Sequence, residues 1–304
     1  MSTPPEVRLG AAAALAWASR SGLLMALLSG PRSEEQLAAH LGCDARALAL
    51  VLGVLEADGW TRREGDRHAL AASNEHGAVA RELWLWQQLD AFAETGRALI
   101  DDEARGDVYP GVVSYLAARF AADARALAEA LGPAGAILDV GAGSGVWSLA
   151  MAARDERSTV TALDLPRTLE VFRRHAEEAG LGARAEVLAG DFHRVEIPAA
   201  RFDRVVLANV VHLEDAARAQ ALVVRCARAV AAGGELVVVD AVADPPPEHA
   251  LGVAVYALHL GMRVPGSRVY SRAELEGLAR AAGLAVERWI PLARGLHALV
   301  ARAG

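Results

Sequence analysis

The sequence of 304 residues predicts an α/β fold, in which an open, mostly parallel sheet follows a mostly helical N-terminal module. From Gly135 onward, short apolar runs alternate with amphipathic helical segments, which is typical of strands buried between two layers of helices. The first of these runs leads into a glycine-rich turn, Gly141-Ala-Gly-Ser-Gly145, and then into a helical segment. Before Gly135 the pattern is almost entirely helical.

Composition and charge limit the classes of function. Hydrophobic residues make up 53% of the chain and the formal net charge is −7, which argues against a general attraction to nucleic acid or anionic membranes. No apolar run reaches the ~18 residues of a membrane span, and the N-terminus lacks a secretion signal. Cys43 and Cys226 lie far apart, as expected of core residues in a reducing compartment. We therefore expect a cytoplasmic protein.

The first module, residues 1–95, resembles a winged helix-turn-helix in its pattern. Helices are predicted over 6–29, 34–41 and 44–57, followed by a hairpin over 60–70. Residues 1–80 carry seven basic and nine acidic side chains, a net charge of −2, so the module lacks the positive charge that DNA affinity requires. A dimerisation or lid module is the favoured interpretation, and a DNA-binding regulator is the alternative.

The second module, residues 96–304, is predicted to hold a seven-stranded Rossmann-like sheet. Two helices, over about 80–101 and 111–132, connect the modules, and residues 96–132 are expected to form the roof of a substrate pocket. Strands are predicted over 136–140, 159–163, 185–189, 203–209 and 234–240, helices over 146–154, 167–179, 215–230 and 272–282, and a closing antiparallel hairpin over 284–290 and 297–301.

Candidate ligand-binding residues lie where the predicted parallel strands end, because ligands of open α/β sheets bind beyond the carboxyl ends of the strands. The turn has glycines at 141, 143 and 145, a Gly-x-Gly-x-Gly spacing that differs from that of pyrophosphate binders. Glycines let a ligand approach the backbone closely. The spacing alone is a weak indication of which ligand that is.

Aspartates lie at three successive predicted strand ends and are therefore further candidates for ligand binding. Asp139 could orient the glycine turn or hold an ammonium group, Asp164 suits two ribose hydroxyls, and Asp191 could accept from an adenine amine. Each aspartate alone is also a candidate helix cap, but together with the turn they favour a nucleoside ligand. The cofactor-binding set is Asp139, Gly141, Gly143, Gly145, Asp164, Leu165, Asp191, Phe192 and Asn209.

His212 follows the fourth strand into the same cleft. A neutral imidazole is the usual group for taking a proton near pH 7, so His212 is the candidate general base. A lone histidine is more often structural, and His259 is a second, less favoured candidate. The pocket for the second substrate is expected to draw on Trp86, Phe120, Trp147, Tyr256, His259 and Met262.

These residues resemble the small-molecule O-methyltransferase family that includes plant caffeate and flavonoid enzymes and bacterial polyketide and anthracycline tailoring enzymes. The resemblance is carried by Gly22-Leu-Leu-Met-Ala-Leu27, Leu138-Asp-Val-Gly-Ala-Gly-Ser-Gly145, Leu163-Asp-Leu-Pro166, Gly190-Asp-Phe192, His212, and Tyr270-Ser-Arg-Ala-Glu-Leu275 with Ala282-Gly283.

The resemblance implies S-adenosyl-L-methionine as cofactor, a hydroxylated small-molecule acceptor, and a homodimer formed through the N-terminal module. It places the base at His212 and the acid that orients it at Asp240. Three positions depart from the family pattern: Leu213-Glu214 replaces an Asp-Trp pair, and Ala208 replaces a lysine found in some plant members.

Two further alternatives remain. Asn209 and Asp240 lie near positions that ligate Mg²⁺ in smaller relatives, but no third oxygen ligand is evident, so no metal site is expected. Some bacterial members of the family catalyse hydroxylation, decarboxylation or cyclisation instead of methyl transfer. The favoured interpretation is O-methylation of an aromatic or polyketide-like metabolite, with His212 as general base.

Overall fold

The computed structural model describes residues 4–71, 85–99 and 105–304; in the helix that begins at Arg105, it describes the side chains of Val113 and of Tyr115 onward. The chain forms two compact units, residues 1–96 and 97–304.

The N-terminal unit contains five described helices and a small sheet of order β1-β3-β2. In chain order its elements are α1 (Pro5–Arg20), α2 (Leu23–Leu28), β1 (Arg32–Ser33), α3 (Glu34–Leu41), α4 (Ala45–Ala57), β2 (Thr61–Glu64), β3 (Arg67–Leu70) and α5 (Leu89–Thr95). Ser33 and Gln36 cap α3 reciprocally, through hydrogen bonds of 3.2 and 3.0 Å. Two of the three arginines of the hairpin contact carboxylates, Arg62 that of Glu64 and Arg63 that of Glu34.

Two helix predictions in this unit were wrong in extent. The helix predicted over 6–29 breaks after Arg20, because Gly22 adopts a left-handed conformation (φ 84°) between α1 and α2. Within residues 85–99, the helix predicted over 80–101 is interrupted by a turn at 87–88: residues 85–86 are helical, and α5 runs from Leu89 to Thr95, where Gly96 ends it with φ 63°. Residues 80–84 and 100–101 of that prediction lie outside the described residues.

The C-terminal unit is built on a seven-stranded sheet of order β6-β5-β4-β7-β8-β10-β9. In chain order its elements are α6 (Arg105–Leu131), β4 (Ala136–Val140), α7 (Val146–Ala152), β5 (Thr159–Asp164), α8 (Pro166–Glu178), β6 (Ala185–Ala189), β7 (Phe202–Ala208), α9 (Ala216–Ala229), β8 (Val230–Ala241), α10 (Ala250–Arg263), α11 (Arg272–Ala281), β9 (Ala285–Pro291) and β10 (Leu296–Arg302). The predicted sheet and its closing hairpin are confirmed; β10 runs antiparallel to both β8 and β9.

The strand β4 is the point at which the sheet changes direction. It pairs in parallel with β5 on one side and with β7 on the other, so the chain builds the sheet outward from β4 in both directions. In sheets of this kind the crevice at such a switch point is where ligands bind. The glycine turn follows β4 directly.

Side chains of the parallel strands alternate between two buried cores, one on each face of the sheet. Leu138, Val205 and Leu236 belong to one core, while their neighbours Ile137 and Val206 belong to the other. The second core also contains Phe120 and Trp147, whose ring centroids are 5.7 Å apart. These two aromatic residues, predicted to line the acceptor pocket, are therefore core residues.

The sequence pattern predicted no helix at α10. It also predicted too short a strand at β8, which begins at Val230 rather than at 234. The glycines and β-branched valines of α10 lower its intrinsic helix propensity. Its position after the carboxyl end of β8 brings it to the edge of the sheet where the candidate residues lie.

Across the described parts of the chain, no single helix is long and apolar enough to cross a membrane, and only the bent pair α3 and α4 passes that test jointly.

Candidate functional site

Two of the three glycines in the turn pack tightly against neighbouring side chains. A Cβ at Gly141 would lie 2.6 Å from a methyl group of Val210, and one at Gly145 would lie 2.6 Å from the ring of Phe172. At Gly143 a Cβ would meet no described atom closer than 3.7 Å. All three have positive φ. Gly141 and Gly145 are thus required by internal packing, whereas at Gly143 a Cβ would make ordinary van der Waals contact with Val113 and only the positive φ favours glycine.

Asp139 lies beneath the turn as a buried carboxyl group, with 2% of its surface exposed. The hydroxyl of Ser148, on α7, lies 2.5 Å from its Oδ2 atom. Burial raises the pKa of Asp139 to about 7; the Ser148 hydrogen bond opposes this shift, and the charge of Asp164 adds to it. A buried carboxyl group with a neutral hydroxyl partner is suited to pairing with a cation.

Asp164 ends β5 and ties the turn to the neighbouring strand. Its Oδ2 accepts from the Gly143 amide at 2.8 Å, and its Oδ1 accepts from the Leu165 amide at 2.7 Å. Burial raises the pKa of Asp164, whereas these amides and the Thr168 hydroxyl lower it. Each carboxylate oxygen keeps capacity for a further donor, as contact with hydroxyl groups would require.

Asp191 follows β6 and caps its own turn. Its Oδ1 accepts from the His193 amide at 2.8 Å, which is the capping role considered as the alternative for each aspartate. Phe192 is half-buried, and its carbonyl accepts from Arg225 of α9 at 3.2 Å. The turn is thereby fixed beside β5, where the Gly190 amide donates to the Asp164 carbonyl.

Asn209 turns the chain at the end of β7. It has φ 57°, a conformation that asparagine tolerates better than most residues, and its amide donates to the Val239 carbonyl at 2.8 Å. A single 3₁₀ turn, Val211–Leu213, follows and carries His212.

His212 and Asp240 form a buried pair at the ends of β7 and β8. The Nδ1 atom of His212 lies 2.7 Å from Asp240 Oδ1, and its amide donates to Oδ2 at 3.2 Å. The Ala241 amide also donates to Oδ1, at 2.9 Å. Because a carboxylate only accepts, Nδ1 carries the hydrogen and Nε2 of a neutral ring is the acceptor. The arrangement can take a proton on Nε2 and stabilise the resulting positive charge.

The structure brings all the predicted site residues to one edge of the sheet, but several of their partners were not foreseen. Ser148 beside Asp139 was missed. Tyr256 was foreseen only as a pocket residue, and its hydroxyl lies 3.0 Å from His212 Nε2. Glu214 turns away from His212: its buried carboxylate lies 3.1 Å from His193 Nε2 and also contacts Arg218. No signal in the sequence indicates which way these side chains turn.

The opposite edge of the sheet carries an open cavity of about 430 Å³. It is lined in part by Arg204, Glu235 and Arg302, and these charged side chains pair with one another. The cavity lies at the amino ends of the parallel strands, away from every predicted site residue. Among the residues that the structure describes, no group of three or more His, Cys, Asp or Glu side chains is arranged to hold a metal.

The chain is similar to known proteins in sequence and in fold. The family model of the O-methyltransferase domain matches residues 118–285. The chain is 36% identical over 159 residues to 2,7-dihydroxy-5-methyl-1-naphthoate 7-O-methyltransferase of Streptomyces carzinostaticus, covering 52% of this chain and 46% of that protein. It is also 36% identical over 152 residues to aclacinomycin 10-hydroxylase RdmB of Streptomyces purpurascens, covering 49% and 40%. The chain spans about half the length of the curated relatives it matches.

A solved structure extends the likeness over the whole chain. It is an O-methyltransferase from neocarzinostatin biosynthesis, in complex with S-adenosyl-L-homocysteine and 1,4-dihydroxy-2-naphthoic acid. It superposes with a TM-score of 0.71 at 26% identity, covering 96% of this chain and 95% of that one. The match of the family model to more than half of the chain shows that this protein belongs to the O-methyltransferase family.

Proposed function

We propose that this protein is an S-adenosyl-L-methionine-dependent O-methyltransferase that acts on a hydroxyl of an aromatic or polyketide-like metabolite. The observation that carries the proposal is the buried His212–Asp240 pair, 2.7 Å apart, at the same sheet edge as the glycine turn. The relatives named above include an enzyme that methylates a naphthoate hydroxyl.

The residues at the sheet edge fit the cofactor. Asp139 offers a buried carboxyl group that suits the ammonium of the amino-acid end, and Gly143, where no described atom lies closer than 3.7 Å to the Cβ position, lets the cofactor approach the backbone. Asp164 and the adjoining Leu165 suit the ribose, Asp191 and Phe192 suit the adenine ring, and Asn209 follows β7 at the same edge of the sheet. When bound, the cofactor supplies a methyl group on a positively charged sulfur.

In the proposed mechanism, Asp240 fixes the ring of His212 and His212 moves the proton. Because Nδ1 carries the hydrogen donated to Asp240, Nε2 keeps the lone pair that can take the proton of the acceptor hydroxyl. Asp240 then stabilises the imidazolium that forms, while the Ala241 and His212 amides hold its carboxylate in place. The rest of the catalysis is positioning of the acceptor oxygen.

The test is a screen of phenols with S-adenosyl-L-methionine, including 1,4-dihydroxy-2-naphthoic acid, with S-adenosyl-L-homocysteine and the methyl ether measured by mass spectrometry. We expect equimolar amounts of both products, undiminished by EDTA because no step needs a metal. Loss of turnover with EDTA would instead favour metal-assisted methylation. If no phenol yields S-adenosyl-L-homocysteine, the proposal fails.

A second candidate is a non-methylating reaction on the same fold, and the likeness to aclacinomycin 10-hydroxylase favours considering it. The same screen separates the two functions. A methyltransferase consumes one cofactor molecule per product and adds 14 mass units to the acceptor by the stoichiometry of the reaction, whereas a hydroxylase adds oxygen and forms no S-adenosyl-L-homocysteine.

We further propose that the N-terminal unit forms a homodimer rather than binding DNA. Large apolar side chains are exposed on it, among them Leu9 (73%), Met25 (62%) and Leu50 (67%), while Arg62 and Arg63 of the hairpin already contact glutamates. Exposed apolar surface of this kind marks association sites.

Light scattering should therefore give twice the chain mass of 31.9 kDa for the wild type and a single chain mass for Leu50→Glu. Leu251→Glu, which alters an equally exposed leucine (72%) of the C-terminal unit, is expected to leave the dimer intact. If Leu251→Glu, and not Leu50→Glu, separates the subunits, the interface lies elsewhere.

A further inference from the structure

Ser148 is the residue whose hydrogen bonds reach the buried carboxyl group of Asp139. Its hydroxyl lies 2.5 Å from Asp139 Oδ2, and its hydroxyl and its amide both act to lower the pKa of Asp139. The two residues are buried, with 0% of Ser148 and 2% of Asp139 exposed. Because bulk water does not reach this contact, Ser148 is the donor on which the charged form of Asp139 depends among the described residues.

The strands beside Asp139 do not stabilise a negative charge. Its partners in register are Ala162 on β5 and Val206 on β7, and both are apolar. The charged group that acts on Asp139 among the described residues is Asp164, which raises the pKa of Asp139 in addition to the effect of burial.

The described parts of the helices on the same face of the sheet do not offset this either. The helix α7 carries no titratable side chain. In α6, Tyr115 and Asp123 contact Arg119 and Arg294. The arginines and glutamates of α8 are exposed, and its histidine, His175, lies in its last turn.

The Ser148 hydroxyl has a second acceptor within reach, the Gly145 carbonyl of the glycine turn. The Ser148 oxygen lies 3.4 Å from that carbonyl oxygen, against 2.5 Å from Asp139 Oδ2. A hydroxyl has one hydrogen to donate and can also accept. It can therefore donate to an ionised Asp139, or accept from a protonated Asp139 while it donates to Gly145. Turning one hydroxyl supplies hydrogen bonds to either protonation state of the buried carboxyl group.

We propose that Ser148 is a positioning residue for the cofactor, an inference that rests on the proposed assignment of Asp139 to the ammonium group. In the free protein, the protonated Asp139 donates to the Ser148 hydroxyl. On cofactor binding, Asp139 releases this proton to the solvent and the Ser148 hydroxyl turns to donate to Oδ2. The lone pairs of Asp139 that Ser148 does not use are left for the ammonium group, which keeps its own three hydrogens.

Ser148→Ala tests this inference, because it removes the hydroxyl and keeps the amide. The first measurement needs no ligand: ¹³C NMR of protein labelled at the aspartate carboxyl carbons, in which the resonance absent from Asp139→Asn belongs to Asp139. We expect the pKa of Asp139 to rise by about one pH unit in Ser148→Ala, the typical effect of losing one hydrogen bond to a carboxylate. An unchanged titration midpoint would overturn the proposal.

The second measurement is the affinity for S-adenosyl-L-homocysteine, determined by calorimetry at pH 6 and at pH 9. At pH 6 Asp139 must lose its proton before it can pair with the ammonium group, whereas at pH 9 it is ionised in both proteins. We expect Ser148→Ala to bind about tenfold more weakly than the wild type at pH 6 and within about twofold at pH 9. A purely structural effect would instead weaken binding equally at both pH values, and that result would overturn the positioning role.

Ser158→Ala is the matched control. Ser158 is also fully buried, and its hydroxyl donates to the Ala134 carbonyl at 2.5 Å, just before β5 and at the opposite edge of the sheet. Its loss should lower the melting temperature and leave both the titration of Asp139 and the ratio of the affinities at pH 6 and pH 9 unchanged. An equal change in Ser148→Ala and Ser158→Ala would show that the effect is general to the fold.

The outcomes separate this inference from the proposals on which it rests. None of the measurements needs a methyl acceptor, so a failed phenol screen leaves them unaffected. If Asp139→Asn binds S-adenosyl-L-homocysteine as tightly as the wild type does, the ammonium group binds elsewhere and the positioning role fails with that assignment. The carboxyl titration then still reports whether Ser148 pairs with Asp139.

Discussion

Replacing His212 by alanine should lower kcat by about 10²- to 10⁴-fold, the usual contribution of a general base. The substitution removes the nitrogen that is proposed to take the proton of the methyl acceptor, and it leaves the turn, Asp139 and Asp164 intact. The affinity for S-adenosyl-L-homocysteine, measured by calorimetry, should therefore stay within about threefold, since those residues and not His212 are assigned to the cofactor.

Two variants sharpen this test. Asp240→Asn should also lower kcat strongly, because an amide can donate to Nδ1 and so favour the tautomer with the hydrogen on Nε2. His40→Ala, which removes an exposed histidine at the end of α3, should leave kcat unchanged. Near-normal turnover by His212→Ala would show that the acceptor loses its proton without this base.

Replacing Asp139 by asparagine should stabilise the cofactor-free protein and weaken cofactor binding. The pKa of Asp139 rises on folding from an ordinary value of 3.8 to about 7, so its charged form is disfavoured in the folded state. The resulting destabilisation is absent below pH 3.8, grows as the pH rises toward 7, and is complete above it, where it amounts to at most about 4 kcal/mol. The melting temperature of Asp139→Asn should exceed that of the wild type by several degrees at pH 8 and match it near pH 4.

The same variant should bind S-adenosyl-L-homocysteine at least tenfold more weakly, because an amide cannot pair with an ammonium group as a carboxylate does. At pH 6 the wild type must lose a proton from Asp139 to form that pair. Calorimetry in buffers of different ionisation enthalpy should therefore show proton release on binding for the wild type and less for the variant.

Asp203→Asn is the control for this prediction, since Asp203 accepts from the Ala136 amide at the other edge of the same sheet and is exposed. It should change neither cofactor affinity nor proton release. Equal affinity for wild type and Asp139→Asn would show that the ammonium group binds elsewhere.

Local patterns predicted the sheet because buried parallel strands and the glycine turn leave a continuous signal in the sequence. The reciprocal cap of Ser33 and Gln36 follows from spacing in the same way. The break at Gly22 could not be seen, because the apolar residues continue on both sides of it. Residues 44 positions apart, such as His212 and Tyr256, meet only through the packing of α10, and no local rule specifies that packing.

The pairing of Asp139 with Ser148 is a similar case. Asp139 could be placed at a strand end from sequence, but its raised pKa follows from the depth at which the strand lies in the sheet. The proximity of Asp164 adds to the shift and depends on the parallel pairing of β4 with β5. The position of Asp139 at a strand end was thus predictable from the sequence, whereas its raised pKa depends on the three-dimensional arrangement around it.

The location of Tyr256 on α10 has a consequence for how the range of acceptors can evolve. His212, Asp240 and the glycine turn are carried by strand ends, where a change of length would shift the register of the whole sheet. The segment from Val242 to Tyr270 lies between β8 and α11 and belongs to no strand, so it can be lengthened, shortened or replaced while the strands keep their pairing. The expected acceptor-pocket residues Tyr256, His259 and Met262 lie in this segment, so grafting it from a homologue tests whether the segment sets acceptor preference.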